Sequence, residues 1–213
     1  MDIFRELTTQ DWLIKVIQWF VDKHIEIIAT ITGFIYLLYS IKGDKRLWIY
    51  GIITSALYVF VCFEAKIYAD MGINVYYVIV SVYGLVHWSG SGSPDKENLN
   101  ISNTKLKEAL LLLGFTVIVF FIIGYLLKYL TDSDIPFWDA LTTSASITAT
   151  WMLARKMMEH WLIWIVVDAI SVALYIYKGL YPTSILFFVY TVLAITGYIE
   201  WRKQWIKQKA NQK

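Results

Sequence analysis

Of 213 residues, one is a cysteine, three are prolines and three are histidines. A single cysteine, Cys62, excludes an intramolecular disulfide. His24, His87 and His160 lie too far apart to form a cysteine–histidine metal spacing, so no metal site and no cofactor are expected. A membrane-embedded enzyme needs a nucleophile–base pair or a metal cluster, and the apolar runs offer neither. No glycine-rich phosphate loop ending in Lys-Ser or Lys-Thr is present, which excludes a P-loop ATPase. Charge is scarce too: charged residues are 17% and the net charge is +2, so no nucleic-acid partner is expected.

What the chain has in abundance is apolar surface. Hydrophobic residues make up 58% and aromatic ones 17%, with a mean hydropathy of +0.53. The apolar residues fall in long blocks separated by short charged clusters, the pattern of an all-α integral membrane protein. Seven spans are predicted: Ile25–Ile41, Leu47–Phe63, Tyr68–Trp88, Leu110–Leu130, Phe137–Leu153, Trp161–Tyr177 and Tyr181–Trp201. The one long connection, Ser89–Lys107, is a polar Gly/Ser-bearing linker, and residues 1–213 read as a single transmembrane domain. A retinal protein would need a lysine near the middle of the seventh span, which has none.

Residues 1–24 predict an amphipathic helix at the membrane interface. Trp12, Leu13, Val16, Ile17 and Phe20 share one face, with Asp11, Lys15, Gln18 and Asp22 opposite. Six of the nineteen Lys and Arg residues (Arg5, Lys15, Lys23, Lys66, Lys128 and Lys178) fall on one side of the membrane. The other side, with the basic tail 202–213, holds the rest. The positive-inside rule therefore sets the N-terminus outside and the C-terminus in the cytoplasm.

An offset of 113 residues aligns the chain with itself without a gap: Trp48 on Trp161, Tyr68 on Tyr181, Tyr77 on Tyr190, Gly84 on Gly197 and Trp88 on Trp201. This indicates two three-span copies, residues 25–88 and 137–201, joined by residues 89–130 with the fourth span. An odd connecting span makes the copies parallel, a transporter design with substrate held between repeats near the midplane. Such a 3+1+3 arrangement resembles that of the SWEET-type sugar transporters.

Helical spacing collects Trp161, Trp164, Asp168, Ser171 and Tyr175 on one face of the sixth span. The equivalent face of the second span is Trp48, Gly51, Ser55, Tyr58 and Cys62, so Ser55 stands where the other copy has Asp168. The third span aligns Asp70, Asn74, Tyr77, Ser81, Gly84 and Trp88; the seventh, Thr183, Phe187, Tyr190, Ala194, Gly197 and Trp201; the fifth, Asp139, Thr143, Ser146 and Thr150. Ser81, Ser146 and Thr150 read as packing or backbone-bonding residues, and the two glycines as points of close helix approach. Trp48, Trp88, Trp161 and Trp201, at span ends, read as an interfacial aromatic belt. Asp139, in the first turn after Pro136, is explained as well by the helix dipole as by a ligand, and Asp70 lies at a solvated boundary.

A carboxylate at the depth of Asp168 costs about 2.5–3.5 kcal/mol by insertion scales, which makes it a candidate functional group. With Trp164, Tyr175, Asn74, Tyr77 and Tyr190 it suits a flat organic cation, and Trp161, Ser171, Thr143 and Ser55 are secondary candidates. Tryptophan, aspartate and asparagine also suit a sugar, and a ligand with both a cationic ring and a ribose would use the whole set.

The C-terminal half carries Pro136-Phe137-Trp138-Asp139, Arg155-Lys156, the Trp161…Trp164…Asp168 spacing, Lys178-Gly179-Leu180-Tyr181, and Gly197 with Trp201. These motifs resemble those of the PnuC-type nicotinamide riboside transporters. The resemblance is specific over the last three spans and one of layout in the first half. It implies a bacterial inner-membrane facilitator importing a vitamin nucleoside, trapped afterwards by a separate cytoplasmic kinase without implied contact, and a homotrimer as one assembly. It also implies that Asp168 bonds ribose hydroxyls or balances a pyridinium, that Trp164 packs on the ligand, and that Asn74, Tyr77 and Tyr190 complete the cage. Some relatives have Asn at the place of Asp168, and the family includes thiamine and riboflavin carriers. A SWEET-like sugar or proton-coupled carrier is the remaining alternative.

Overall fold

The computed structural model describes residues 24–64, 68–90 and 100–211, so the expected N-terminal interfacial helix lies outside the described residues. Seven helices follow in order: α1 His24–Lys42, α2 Leu47–Glu64, α3 Tyr68–Ser89, α4 Leu106–Leu130, α5 Pro136–Ala154, α6 His160–Tyr177 and α7 Tyr181–Asn211. They coincide with the expected spans, except that α4 starts at Leu106 and α7 continues past Trp201 to Asn211. The basic tail is therefore a helical extension almost to its end.

Five helices (α2, α3, α4, α6 and α7) are long and apolar enough to cross a membrane. Helix α5, which opens the second sequence repeat, is of similar length but more polar. Its Ser144, Ser146, Thr148 and Thr150 are all buried, and each hydroxyl bonds a carbonyl three or four residues earlier. A helix whose hydroxyls bond its own turns can be polar by composition without exposing donors. In contrast α4 buries only Gly124 and presents most of its leucines, with Phe115 and Phe121, outward.

Helix ends repeat as well. Gly43 after α1 and Lys156 after α5 are 113 residues apart, and both adopt left-handed backbone, at φ 66° and 57°. Each closes a Schellman turn. Gly43 N–H bonds Ser40 O and Asp44 N–H bonds Tyr39 O; Lys156 N–H bonds Leu153 O and Met157 N–H bonds Met152 O. Lysine in this conformation is uncommon and strained, so the turn is over-determined by its surroundings.

Helix α2 packs between α1 and α3, and α6 packs on α5 and α7, while α4 lies on α5. Two contacts join the groups, α1 with α7 and α3 with α5. The 113-residue offset exchanges these two contacts.

The apolar core gathers at the end where α1, α3 and α5 finish and α2 and α6 begin. Trp48, Trp88, Trp161 and Trp201 are all buried there, Trp48 and Trp201 completely. This corrects the reading of these rings as an interfacial belt. A Cβ at Gly84 would stand 2.6 Å from Trp48 atoms, and one at Gly197 2.6 Å from Trp161. Each missing side chain lets an indole lie between helices instead of turning out to headgroups. Residues 101–104 fold over the same end: Ser102 pairs with the α5–α6 turn through Lys156 O and Met158 N–H, and Thr104 bonds Glu159 at 2.6 Å. The expected linker is thus anchored, and Ile101 is buried in the core.

Candidate functional site

The polar stripes face inward. On α6, Trp161, Asp168 and Ser171 are buried while Leu162, Val166 and Ile176 are exposed; on α2, Gly51, Ser55 and Cys62 are buried while Ile49, Ile53 and Phe60 are exposed. Apart from Glu64 at the end of α2, the exposed sides carry no charge, as contact with lipid requires.

Asp168 is 6% exposed, and among the described residues it has no hydrogen-bond or ion-pair partner. Tyr190 on α7 stands within electrostatic reach of it and of Tyr58 on α2. The Tyr190 ring meets Phe34 of α1 at 5.8 Å and Phe187 at 5.8 Å, and Phe187 stacks on Tyr175 at 5.1 Å. The buried carboxylate therefore sits beside an aromatic wall drawn from both repeats. Such a wall can accept a flat cationic ring, and the carboxylate can accept hydroxyl or N–H donors.

Tyr77 takes part in a second cluster. Its hydroxyl faces Ser146 of α5 and lies near Tyr36 of α1, and the adjacent Tyr76 donates to Ile147 O at 2.8 Å. Tyr77 and Tyr190, at one repeat position, both reach across to the first helix of the other group.

The remaining expected residues divide. Trp164 packs against the tryptophan core, and Trp161 lies on Gly197 within it. Asn74 is half-buried, and its amide donates to Asp70 O one turn earlier at 2.9 Å. Ser55 and Ser171 are buried, and Thr143 is half-buried. Asp139 accepts from Ser133 at 2.7 Å and faces Lys178 at 3.7 Å, at the end opposite the tryptophans.

The sequence reading missed Phe34 and Tyr36. They lie on α1, whose apolar run shows no polar stripe to mark an inward face. Tyr58 was placed on the α2 stripe but not in the site, although it stands one turn beyond Ser55. A cavity of about 370 Å³ between α5 and α6, lined by Leu141, Ala145, Ile163 and Val167 among others, contains none of the candidate residues. It is apolar and opens on the side of exposed Leu162 and Val166.

Residues 23–203 match the family described as Nicotinamide mononucleotide transporter. The chain belongs to that family. It is therefore a multi-pass membrane transporter and not an enzyme. The nicotinamide riboside transporter PnuC of Escherichia coli (strain K12) is 25% identical over 201 residues, covering 83% of this chain and 84% of that protein. PnuC of Neisseria mucosa is 24% identical, over 85% of this chain and 73% of the relative. The riboflavin/roseoflavin transporter RibM of Streptomyces davaonensis is 23% identical, over 90% of this chain and 91% of RibM. A crystal structure of the vitamin B3 transporter PnuC shares the fold, with a TM-score of 0.68 at 24% identity over 90% of this chain and 86% of that one.

Proposed function

We propose that this protein is an inner-membrane facilitator, a uniporter importing nicotinamide riboside by alternating access between two parallel three-helix repeats. The observation that supports it most is Asp168, a carboxylate 6% exposed with no partner among the described residues, set beside Tyr190. A group kept unpaired at that depth is costly unless a ligand completes it. Nicotinamide riboside supplies a cationic aromatic ring and ribose hydroxyls, and PnuC relatives named for it support the choice.

In this reading residues 1–213 form one domain in a SWEET-like 3+1+3 plan. The exchange of the α1–α7 and α3–α5 contacts under the repeat offset supports it. Asp168 takes the ribose hydroxyls or the pyridinium charge, Tyr175 and Tyr190 line the ring, and Asn74, Tyr77, Trp164, Trp161, Ser171, Thr143 and Ser55 are the further candidates. The N-terminus is outside and the tryptophan end is cytoplasmic. A separate cytoplasmic kinase traps the product, and the assembly is a homotrimer in the lipid bilayer.

The RibM relative favours a second reading, a flavin carrier, since it matches 90% of the chain. Calorimetry of purified protein against nicotinamide riboside, thiamine, riboflavin and glucose decides. Binding of nicotinamide riboside alone supports the first reading. Binding of riboflavin or thiamine without it overturns that reading.

A further inference from the structure

The four buried tryptophans form one layer. Trp48 meets Trp88 edge-on at 5.5 Å, Trp161 meets Trp201 edge-on at 6.0 Å, and Trp88 meets Trp201 between the two at 6.1 Å. The layer runs across both helix groups at its end of the molecule, with the Trp88–Trp201 contact joining them.

Its four indole N–H groups divide in two. Trp88 donates to Ala154 O at 3.0 Å, and Trp201 donates to Ser40 O at 2.9 Å. Each of these bonds runs from the third helix of one repeat to the first helix of the other. Trp48 and Trp161 are as deeply buried, yet neither N–H has an acceptor among the described residues. His160 Nε2, beside Trp161, is also unpaired among the described residues. Trp48 and Trp161 occupy one repeat position, so the fold leaves the same donor unpaired twice. Each lies on the glycine of its own repeat, Gly84 or Gly197, and travels with that repeat.

A buried donor without an acceptor has lost its hydration for nothing, whereas a paired one has exchanged it. If the helix groups separate at this end, the two cross-repeat bonds break and the two orphaned N–H groups reach water. We infer that the Trp48–Trp88–Trp201–Trp161 layer is a gate. The Trp88 and Trp201 bonds hold it shut, and the unpaired Trp48 and Trp161 N–H groups bias it toward opening. The inference rests on the alternating-access reading and names the residues that set its balance.

The same substitution, tryptophan to phenylalanine, must then act with opposite signs inside one layer. The test uses the full chain in proteoliposomes with Cys62→Ser to remove the native thiol and Ser40→Cys as a reporter buried beside the gate. Membrane-permeant N-ethylmaleimide is the probe, and no vitamin is added. Trp48→Phe and Trp161→Phe should each slow labelling of Cys at position 40 about tenfold, equivalent to about 1.4 kcal/mol. Trp88→Phe and Trp201→Phe should each speed it by a similar factor. Four shifts of one sign would mean simple loss of packing and would overturn the gate. So would failure of Trp48→Phe and Trp161→Phe to fold while the other pair folds. No labelling in any variant would instead overturn alternating access at this end, and substrate identity affects neither outcome.

Discussion

The Trp201 indole N–H donates to the Ser40 carbonyl at 2.9 Å, joining positions 161 residues apart. That carbonyl already accepts from Gly43 N–H in the turn after α1, so one oxygen ties the last helix to the end of the first. Trp88 makes the corresponding bond to Ala154 in the other direction. Contact between the two helix groups is thus anchored twice by the same residue type at the same repeat position.

The glycines beneath the other two tryptophans are expected to be intolerant. Gly84→Ala and Gly197→Ala each place a Cβ 2.6 Å from an indole fixed by its neighbours, costing about 1–3 kcal/mol. Gly114→Ala, with nothing within 4 Å, should be neutral or stabilise by about 1 kcal/mol through helix propensity. Thermal unfolding in detergent should show the Gly84→Ala and Gly197→Ala variants melting lower and the control unchanged or higher.

Lys156 is the lysine counterpart of Gly43, at φ 57°. Its amine lies 4.5 Å from the Trp88 ring centroid. Comparing Lys156→Gly with Lys156→Ala removes the amine in both and isolates the backbone. The glycine variant should be the more stable by about 1 kcal/mol. Equal melting temperatures would show that the left-handed turn is not strained.

Asp168 should trade stability for binding. Asp168→Asn replaces a buried ionisable carboxyl that has no partner among the described residues by a neutral amide, so ligand-free protein should melt higher. Asp168→Ala should weaken nicotinamide riboside binding by about 10- to 150-fold, the range for a lost hydrogen bond to a charged group. Calorimetry showing unchanged affinity would remove Asp168 from the site.

One acid-sensitive contact lies outside the spans. The Arg46 guanidinium bonds Asp44 at 2.6–3.1 Å and holds its carboxyl below the ordinary aspartate value. A depressed carboxylate contributes stability above its unfolded pKa, about 3.9. That contribution is lost as pH falls further, through the folded value. Melting curves between pH 5 and about pH 3 should therefore fall less steeply for Asp44→Asn than for the natural chain.

The candidate site was partly legible because helical periodicity is local. Spacing alone put Trp161, Trp164, Asp168, Ser171 and Tyr175 on one face, and that face is turned inward on α6. Phe34 and Tyr36 gave no such signal, because a uniformly apolar α1 can present any face to its neighbours. The tryptophans were misread for a related reason. Position at a helix end fits headgroups and interior equally, and only the packing partner decides. Yet Trp48 and Trp161 shared stripes with Ser55 and Asp168, and that fact already pointed inward.

Sequence by itself determined the seven described helices, the 113-residue offset at which aromatic and glycine positions recur, the buried stripes and the oddity of Asp168. Each depends on hydrophobicity summed over one segment or on a 3.6-residue period, and needs no knowledge of neighbours. Tertiary structure alone decided that α1 meets α7 and α3 meets α5, that four distant tryptophans make one layer, and that Asp168 lies beside Tyr190 without a bonding partner among the described residues. Those are relations between different helices, up to 161 residues apart in the chain, set by which inward faces fill one another's space, and no local pattern encodes them.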